Sequence, residues 1–542
     1  MEINDTLYNA FLEELNSLEK FRMSYSGIRS SELLGQDDPD VKRMIEAMAF
    51  FSARTKISSL QNIRRTHHRL FEQFFSFLLT PLPAMATLQC EITGRFTDPF
   101  LLPKDSEVLV TADKGMQATF RTLHDLRVLP ITLKKTELAL RGNAGFRLLL
   151  YFQSSYPRND AIDTLPVYLN YLNNYHSSLK FCYTLQKHLK KSSVFFTDKI
   201  EDNAEGVPCP IRFGSPVSLE DTVNSDLSHP LEQIRAYFHF PQQDLYMNFK
   251  VPAPPRNWTN VTICLDLDAK WPKNLSINRD IFQLFTVPVT NLKHNMAQPV
   301  LCDGTQDQYA IRYPEPKKKF VLHSVLGTFL IEPDGLIPLR PGIITGGNGS
   351  YEIEHNQAGI ANLLLHLPQA FVTPKKIAID ALWLQPEFSE QVDQQHKVML
   401  ASKNIEGVTW AMLGEIKVHQ ENPLNEDAEG LLQFLSLQRK PTFTLEEIGF
   451  LLKGLGNIAK SPFQAIPQLL DKLEIALVPQ SRKIGGVKTI YHLSLKEFDD
   501  SYRPLVELFL KKLLFLLQTC SADATVALHI KFADSAAVWE LE

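Results

Sequence analysis

Phe74-Phe-Ser-Phe-Leu-Leu-Thr-Pro-Leu-Pro-Ala-Met-Ala-Thr-Leu-Gln-Cys-Glu-Ile92 marks the point where the chain changes character. Upstream, Leu60, Ile63, Leu70, Phe74 and Phe77 recur at helical spacing as far as Thr80. Pro81 and Pro83 then stop the helix, because proline has no amide hydrogen and restricts the residue before it. Downstream the apolar residues come in short runs bounded by Pro, Gly or Asp, the first from Thr87 to Ile92, as strands do. The break separates a helical arm from a β-rich remainder.

The arm begins with Leu7, Phe11, Leu15 and Leu18, spaced to line one helix face. Gly27 and the stretch Gly35 to Pro39 interrupt it. Asp38 or Asp40 can cap a second helix beginning near Val41, with Val41, Met44, Ile45, Met48 and Phe51 as its apolar stripe. Two helices over roughly eighty residues, with no strand of their own, must bury those stripes somewhere.

Beyond the break, Glu107 to Thr111, Phe146 to Phe152 and Leu165 to Leu172 read as strands. Tyr175 to Lys191 reads as a helix, with Lys187, His188, Lys190 and Lys191 suiting its C-terminal dipole. In Val261 to Asp268, Val261, Ile263, Leu265 and Leu267 alternate with Thr262, Cys264, Asp266 and Asp268, a strand with two distinct faces. Phe320 to Ile331 is a further extended run, and Pro333-Asp334-Gly335 a turn. Gly342 to Ser350 is a Gly-rich loop, and the polar stretch Gln420 to Glu429 the best candidate linker. Leu445 to Leu455, Phe463 to Leu477 and Tyr502 to Gln518 read as helices, Val487 to Leu493 and Thr525 to Phe532 as strands. The expected fold is α+β: an N-terminal helical arm, several β-rich mixed domains and a C-terminal α+β domain. The segments are 1-83 for the arm, 84-235, 236-420 and 430-542.

Composition narrows the classes. A chain of 542 residues, 44% hydrophobic and 22% charged, with net charge −5, is globular, long enough for several cores, and not dedicated to nucleic acid. Six scattered cysteines with no Cys-x-x-Cys pair read as reduced thiols. The acidic N-terminus lacks an apolar signal core, so no leader is expected. Leu505 to Leu517, cut by Lys511 and Lys512, is shorter than the ~20 residues a bilayer needs and reads as a core helix. No membrane insertion is expected.

Catalytic patterns are weak. Gly454-Leu-Gly-Asn-Ile-Ala-Lys-Ser461 nearly spells a P-loop, but Ala459 stands where glycine is needed, and a helix precedes it where a strand should. A helix cap and turn is the better reading. His67 and His68, among Arg64, Arg65 and Arg69, point about 100° apart on a helix and do not chelate together. That cluster, like Lys317-Lys318-Lys319, reads as a solvated or partner-facing basic surface. There is no G-x-S-x-G elbow and no H-E-x-x-H, and Asp37-Asp38 and Asp499-Asp500 sit in apparent loops. No catalytic residue, cofactor site or metal site is expected, and the chain is not expected to be an enzyme.

Several stretches together resemble one family. Asp38-Pro39-Asp40-Val41 through Met44-Ile45-Glu46-Ala47-Met48 to Arg54, then Pro81-Leu82-Pro83, is similar to the early helix and helix exit of TssF proteins (also ImpG or VasA). Arg235-Ala236-Tyr237-Phe238-His239-Phe240-Pro241 is similar to that family's Tyr-Phe-x-Phe-Pro box. Phe285 to Leu292, with Pro288, Val289, Asn291 and Leu292, resembles its Pro-Val-x-Asn-Leu box. The resemblance implies a non-catalytic wedge subunit of a bacterial type VI secretion baseplate, cytoplasmic and docked at the inner-membrane complex. It implies as partners a TssG-like subunit, a second TssF copy, TssK, TssE and the VgrG hub. It also gives the stripes a destination, a bundle with partner helices through Leu7, Phe11, Leu15, Leu18, Val41, Met44, Ile45 and Met48. Three other readings stay open. These are a wedge of another contractile injection system or phage tail, a hydrolase with its site within 375-440, and a nucleic-acid binder using Arg64 to Arg69.

Overall fold

In the computed structural model of the chain, the proline break is a boundary between architectures. Helix α1 (Asp5–Ile28) is followed by α2 (Pro39–Leu79), which bends at Phe75 (φ −139°, ψ 42°), and the strand Met85–Ile92 opens a long β-rich run. The structure describes residues 5–28, 39–112, 115–141, 145–198, 200, 204–217, 229–316, 319–342, 349–355, 360–367, 373–391, 396–402, 404–421, 424, 428–437, 440–456, 458–479, 487–521, 525–533 and 538–541. Asp37, Asp38, Lys317, Lys318 and residues 343–348 of the Gly-rich loop lie outside them, as do the side chains of Arg64, Arg65 and Phe74.

The chain forms two compact units. One comprises Met1–Ser76 and Glu426–Leu435, the other Phe77–Asn425 and Ser436–Glu542. In the first, α1 and α2 meet at Glu14. Ala49 and Ala53, one turn apart, are fully buried, and beside them Glu14 accepts from Ser52 Oγ at 2.9 Å and Lys56 Nζ at 3.2 Å. A third helix, Ala428–Leu437, comes from the end of the supposed linker. Its Phe434 meets Phe71 and Phe75 edge-on, with ring centres 5.8 and 5.6 Å apart.

In the second unit, a six-stranded sheet runs in the order His396–Leu400, Glu107–Ala112, Gln117–Thr122, Thr286–Thr290, Met85–Ile92, Val408–Lys417. A five-stranded sheet centres on Trp258–Leu267, flanked by Leu189–Phe195 and Gly145–Arg158. The expected two-faced strand is buried on both faces, because strands flank it and its polar groups are satisfied inside. Asp266 accepts from Arg147 Nε and Arg141 Nη1, each at 2.7 Å. All six cysteines are free and buried.

Two helix readings need correction. The helix from Tyr175 ends at His188; Leu189 turns extended (φ −71°, ψ 123°), and Lys190 and Lys191 lie on a strand paired with Trp258–Leu267. Phe463 to Leu477 is not helical. Apart from a short 3₁₀ turn it becomes the strand Leu470–Pro479, antiparallel to Val487–Leu495. Its apolar residues fit both periods, since Leu473, Ile475 and Leu477 also alternate, and Pro467 disfavours a long helix. The C-terminal stretch of the second unit forms a four-stranded sheet with a parallel crossover, Val487–Leu495 to Thr525–Lys531, through the helix Arg503–Cys520. That helix buries ten residues, including Leu505, Phe509, Leu513 and Leu517, so Leu505 to Leu517 is a core helix.

Gly407 shows how tightly the six-stranded sheet is closed. Its φ is +80°, and a Cβ there would meet the Phe96 backbone nitrogen at 2.6 Å, while its carbonyl accepts from Thr93 N at 2.8 Å. Gly407→Ala is expected to lower the unfolding free energy by about 1–3 kcal/mol, read as a shift in denaturation midpoint at unchanged slope.

Candidate functional site

A helix C-terminus leaves carbonyls without intrahelical partners. At the end of α2 they are met by the helix Pro230–His239, which carries the first part of the Tyr-Phe box. The Arg235 guanidinium donates to the carbonyls of Phe77 and Thr80, and His239 Nε2 lies 2.9 Å from the Pro83 carbonyl. Arg235 is buried, and burial pushes its pKa down to about 10, so it stays cationic at neutral pH. The C-terminal helix dipole favours a cation at this position.

The next residues of the exit are held in turn. Leu82 and Gln420 exchange backbone hydrogen bonds at 2.7 and 2.9 Å. Asn291 N donates to the Ala84 carbonyl at 2.8 Å, and from there Met85–Ile92 pairs with Thr286–Thr290, Thr87 opposite Pro288 and Ala86 opposite Val289. Pro288 cannot donate to a ladder, and pairing with Gln117–Thr122 on its other side is confined to Val289 and Thr290. The Asn291 side chain donates to the Thr119 carbonyl at 2.9 Å and accepts from Gln385 N at 3.1 Å.

The two boxes, far apart in sequence, therefore meet on one segment, residues 77–89. Tyr237, Phe238, Phe240, Pro241, Pro288, Val289, Asn291 and Leu292 are all buried, while Pro81 and Pro83 are half-buried. Phe238 packs edge-on against Phe463 (5.4 Å) and obliquely against Phe509 (5.7 Å), tying the box to the C-terminal stretch of the same unit. His323 joins the junction through a hydrogen bond with the Pro81 backbone; it, Gln420 and Gln385 are not visible in the sequence as members, since their contacts bridge distant parts of the chain.

The arm residues are placed differently. Leu7, Phe11, Leu15, Leu18, Val41 and Ile45 are half-buried, whereas Met44, Met48 and Phe51 are 60%, 58% and 64% exposed. The stripe read on α2 thus splits, with an inner edge continuing through Ala49 and Ala53 and an outer row at 44, 48 and 51. Pro39 opens α2, where proline is favoured, and Asp40 lies 3.7 Å from Arg43 on the exposed first turn. His67, His68 and Arg69 are half-buried along α2.

Gly454 ends a helix, and Gly456 (φ +85°) leads into a 3₁₀ turn, as a cap and turn require. Within 375–440, the strand Lys375–Leu384 buries Ile377, Ile379, Ala381 and Trp383, and two further strands complete the six-stranded sheet. Depressions of about 380 and 160 Å³ are lined by Glu332 to Ile337 and by residues around Arg141 and Asp266, none of them within 375–440. Among the described residues no group of three His, Cys, Asp or Glu is placed to hold a metal, and no helix is long and apolar enough to cross a membrane.

The family model described as Type VI secretion system, TssF, matches residues 19–326, more than half of the 542. The chain belongs to the TssF family. Both boxes and most of the arm lie inside the matched range. A chain in the structure of the type VI secretion TssK-TssF-TssG baseplate subcomplex is similar in fold, with a TM-score of 0.73 at 14% identity, covering 93% of this chain and 98% of that one. A chain of the baseplate complex from the type VI secretion system gives 0.59 at 14% identity, over 97% and 96%. No curated protein matches the chain.

Two variants test the junction. Arg235→Leu strands the half-buried Thr80 carbonyl and leaves that of Phe77 with only the Thr80 hydroxyl (2.9 Å), at a cost of about 1–3 kcal/mol, with faster proteolysis around residues 77–83; Arg235→Lys should not restore stability, because an ammonium lacks the guanidinium's forked donors. His323, whose pKa is lowered to about 3 by burial and by the Arg235 and Arg121 charges, stays neutral in the folded chain. The unfolded chain takes up that proton below about 6.5, so stability falls as pH drops from there towards the folded value, by at most about 1.4 kcal/mol per pH unit. His323→Gln should remove that component from the pH dependence of the denaturation midpoint.

Proposed function

We propose that this TssF-family chain is an architectural subunit of a type VI secretion baseplate wedge. Its body is the load-carrying part, and its arm docks by a helical face on helices of a TssG-like subunit and of a second copy of the chain. TssK, TssE and the VgrG hub are its further neighbours, in a cytoplasmic assembly at the inner-membrane complex. Family membership and the likeness to baseplate chains support this reading.

The observation that carries the docking is the outer row of α2. Met44, Met48 and Phe51 recur at helical spacing and are each more than half exposed. Tyr8, Phe21 and Met23 add exposed apolar surface on α1. Burying a Met or Phe side chain is worth about 1.5–3 kcal/mol, so three anchors in a groove supply several kcal/mol, which suits helix-in-groove recognition.

The test uses the outer row, because charges on half-buried Phe11 or Leu15 would also unpack the arm itself. Met44→Asp combined with Met48→Asp should abolish co-purification with a co-expressed TssG-like subunit while the thermal unfolding of the isolated chain is unchanged. Undiminished co-purification would remove the arm from the interface.

A further inference from the structure

The C-terminal sheet has a packed face and an open one. Tyr491, Leu493, Val526, Leu528 and Ile530 are buried. The opposite parity forms a row that crosses all four strands in register: Glu474 faces His492, His492 faces His529, and His529 faces Glu540. Residues in register on neighbouring strands share a face. Glu474, His492 and Glu540 are exposed and His529 is half-buried. The two imidazole rings stand 5.1 Å apart, centre to centre, at 88°.

We propose that His492 and His529, side by side on the open face of the C-terminal sheet between Glu474 and Glu540, bind one zinc-class divalent transition-metal ion. With a metal–nitrogen bond of about 2.1 Å and a near-tetrahedral angle, two imidazole centroids sharing one ion stand roughly 5–5.5 Å apart. The observed separation falls in that range without movement of the strands. Two imidazoles suit zinc, copper(II) and nickel(II) and not magnesium or calcium, which take oxygen ligands. Since no three ligating groups converge among the described residues, the protein supplies two nitrogens, and water completes the shell. Glu540, opposite His529, is the carboxylate placed to swing in, because Glu474 is engaged by Lys472.

The site has a structural consequence. His492 and His529 lie on the two parallel strands joined by the crossover helix Arg503–Cys520. An ion shared between them closes that crossover and stabilises the folded chain by mass action.

Zinc chloride titrated into the full-length chain, free of any affinity tag, is expected to show one saturable site per chain and a rise in the thermal midpoint. His492→Gln and His529→Gln should each weaken binding by at least the about 10–100-fold that losing a mere outer-shell partner costs, and His176→Gln should not. Equal affinity in the double variant, or no saturable uptake, overturns the site. Should the variants fail to fold, the native chain still decides. Zinc must protect His492 and His529 together from diethylpyrocarbonate, read by mass spectrometry, and unchanged modification rates would equally overturn it.

Discussion

The end of α2 is a row of carbonyl groups that the next residues cannot satisfy, because Pro81 and Pro83 forbid both more helix and an ordinary strand entry. Arg235 resolves this by donating to two of those carbonyls at once. A guanidinium suits the task, since its forked donors span two acceptors where an ammonium is a point charge. The cost is a buried cation, visible as a depressed pKa. The helix dipole, the two carbonyls and the negative charges of Glu232 and Glu421 offset that cost.

Much of the second unit follows from this fixed point. Once residues 77–83 are set, Met85–Ile92 can enter only between Thr286–Thr290 and Val408–Lys417, with Asn291 and Gln420 holding its start. The two sequence boxes are therefore one device. One ends a helix and the other begins a sheet, and the short exit between them is shared. Phe238, packed against Phe463 and Phe509, carries the same point to the C-terminal helix Arg503–Cys520. This explains why the box residues are buried and why none of them offers its side chain as a docking surface.

How much of this was legible depended on the range of the interactions. The proline break, the strand Met85–Ile92, the hairpin turn at Pro333 to Gly335 and the core helix Arg503–Cys520 rest on local rules, and the sequence reveals them. The strand Leu470–Pro479 was misread because its apolar residues satisfy both periods, and only pairing with Val487–Leu495 decides. The end of the helix at His188 was misplaced because Lys190 and Lys191 suit a helix terminus as well as a strand. Arg235 stands within its box, yet its role is invisible locally, since its acceptors lie some 155 positions upstream. The helix Ala428–Leu437 was hidden by the polar stretch before it, although Leu431, Phe434 and Leu437 have helical spacing.

The arm obeys a different economy. Among the described residues, its two long helices meet at a Glu14–Ser52–Lys56 cluster. An aromatic knot, Phe71, Phe75 and Phe434, lies near the bend in α2. Most helical stability in proteins comes from packing an amphipathic face. Yet large apolar side chains at 44, 48 and 51 are left uncovered. Were the arm meant to stand alone, polar residues there would cost nothing in folding and would prevent association. The placement makes sense if the missing stabilisation is supplied by a partner, so that ordering of the arm and assembly of the wedge are one thermodynamic event.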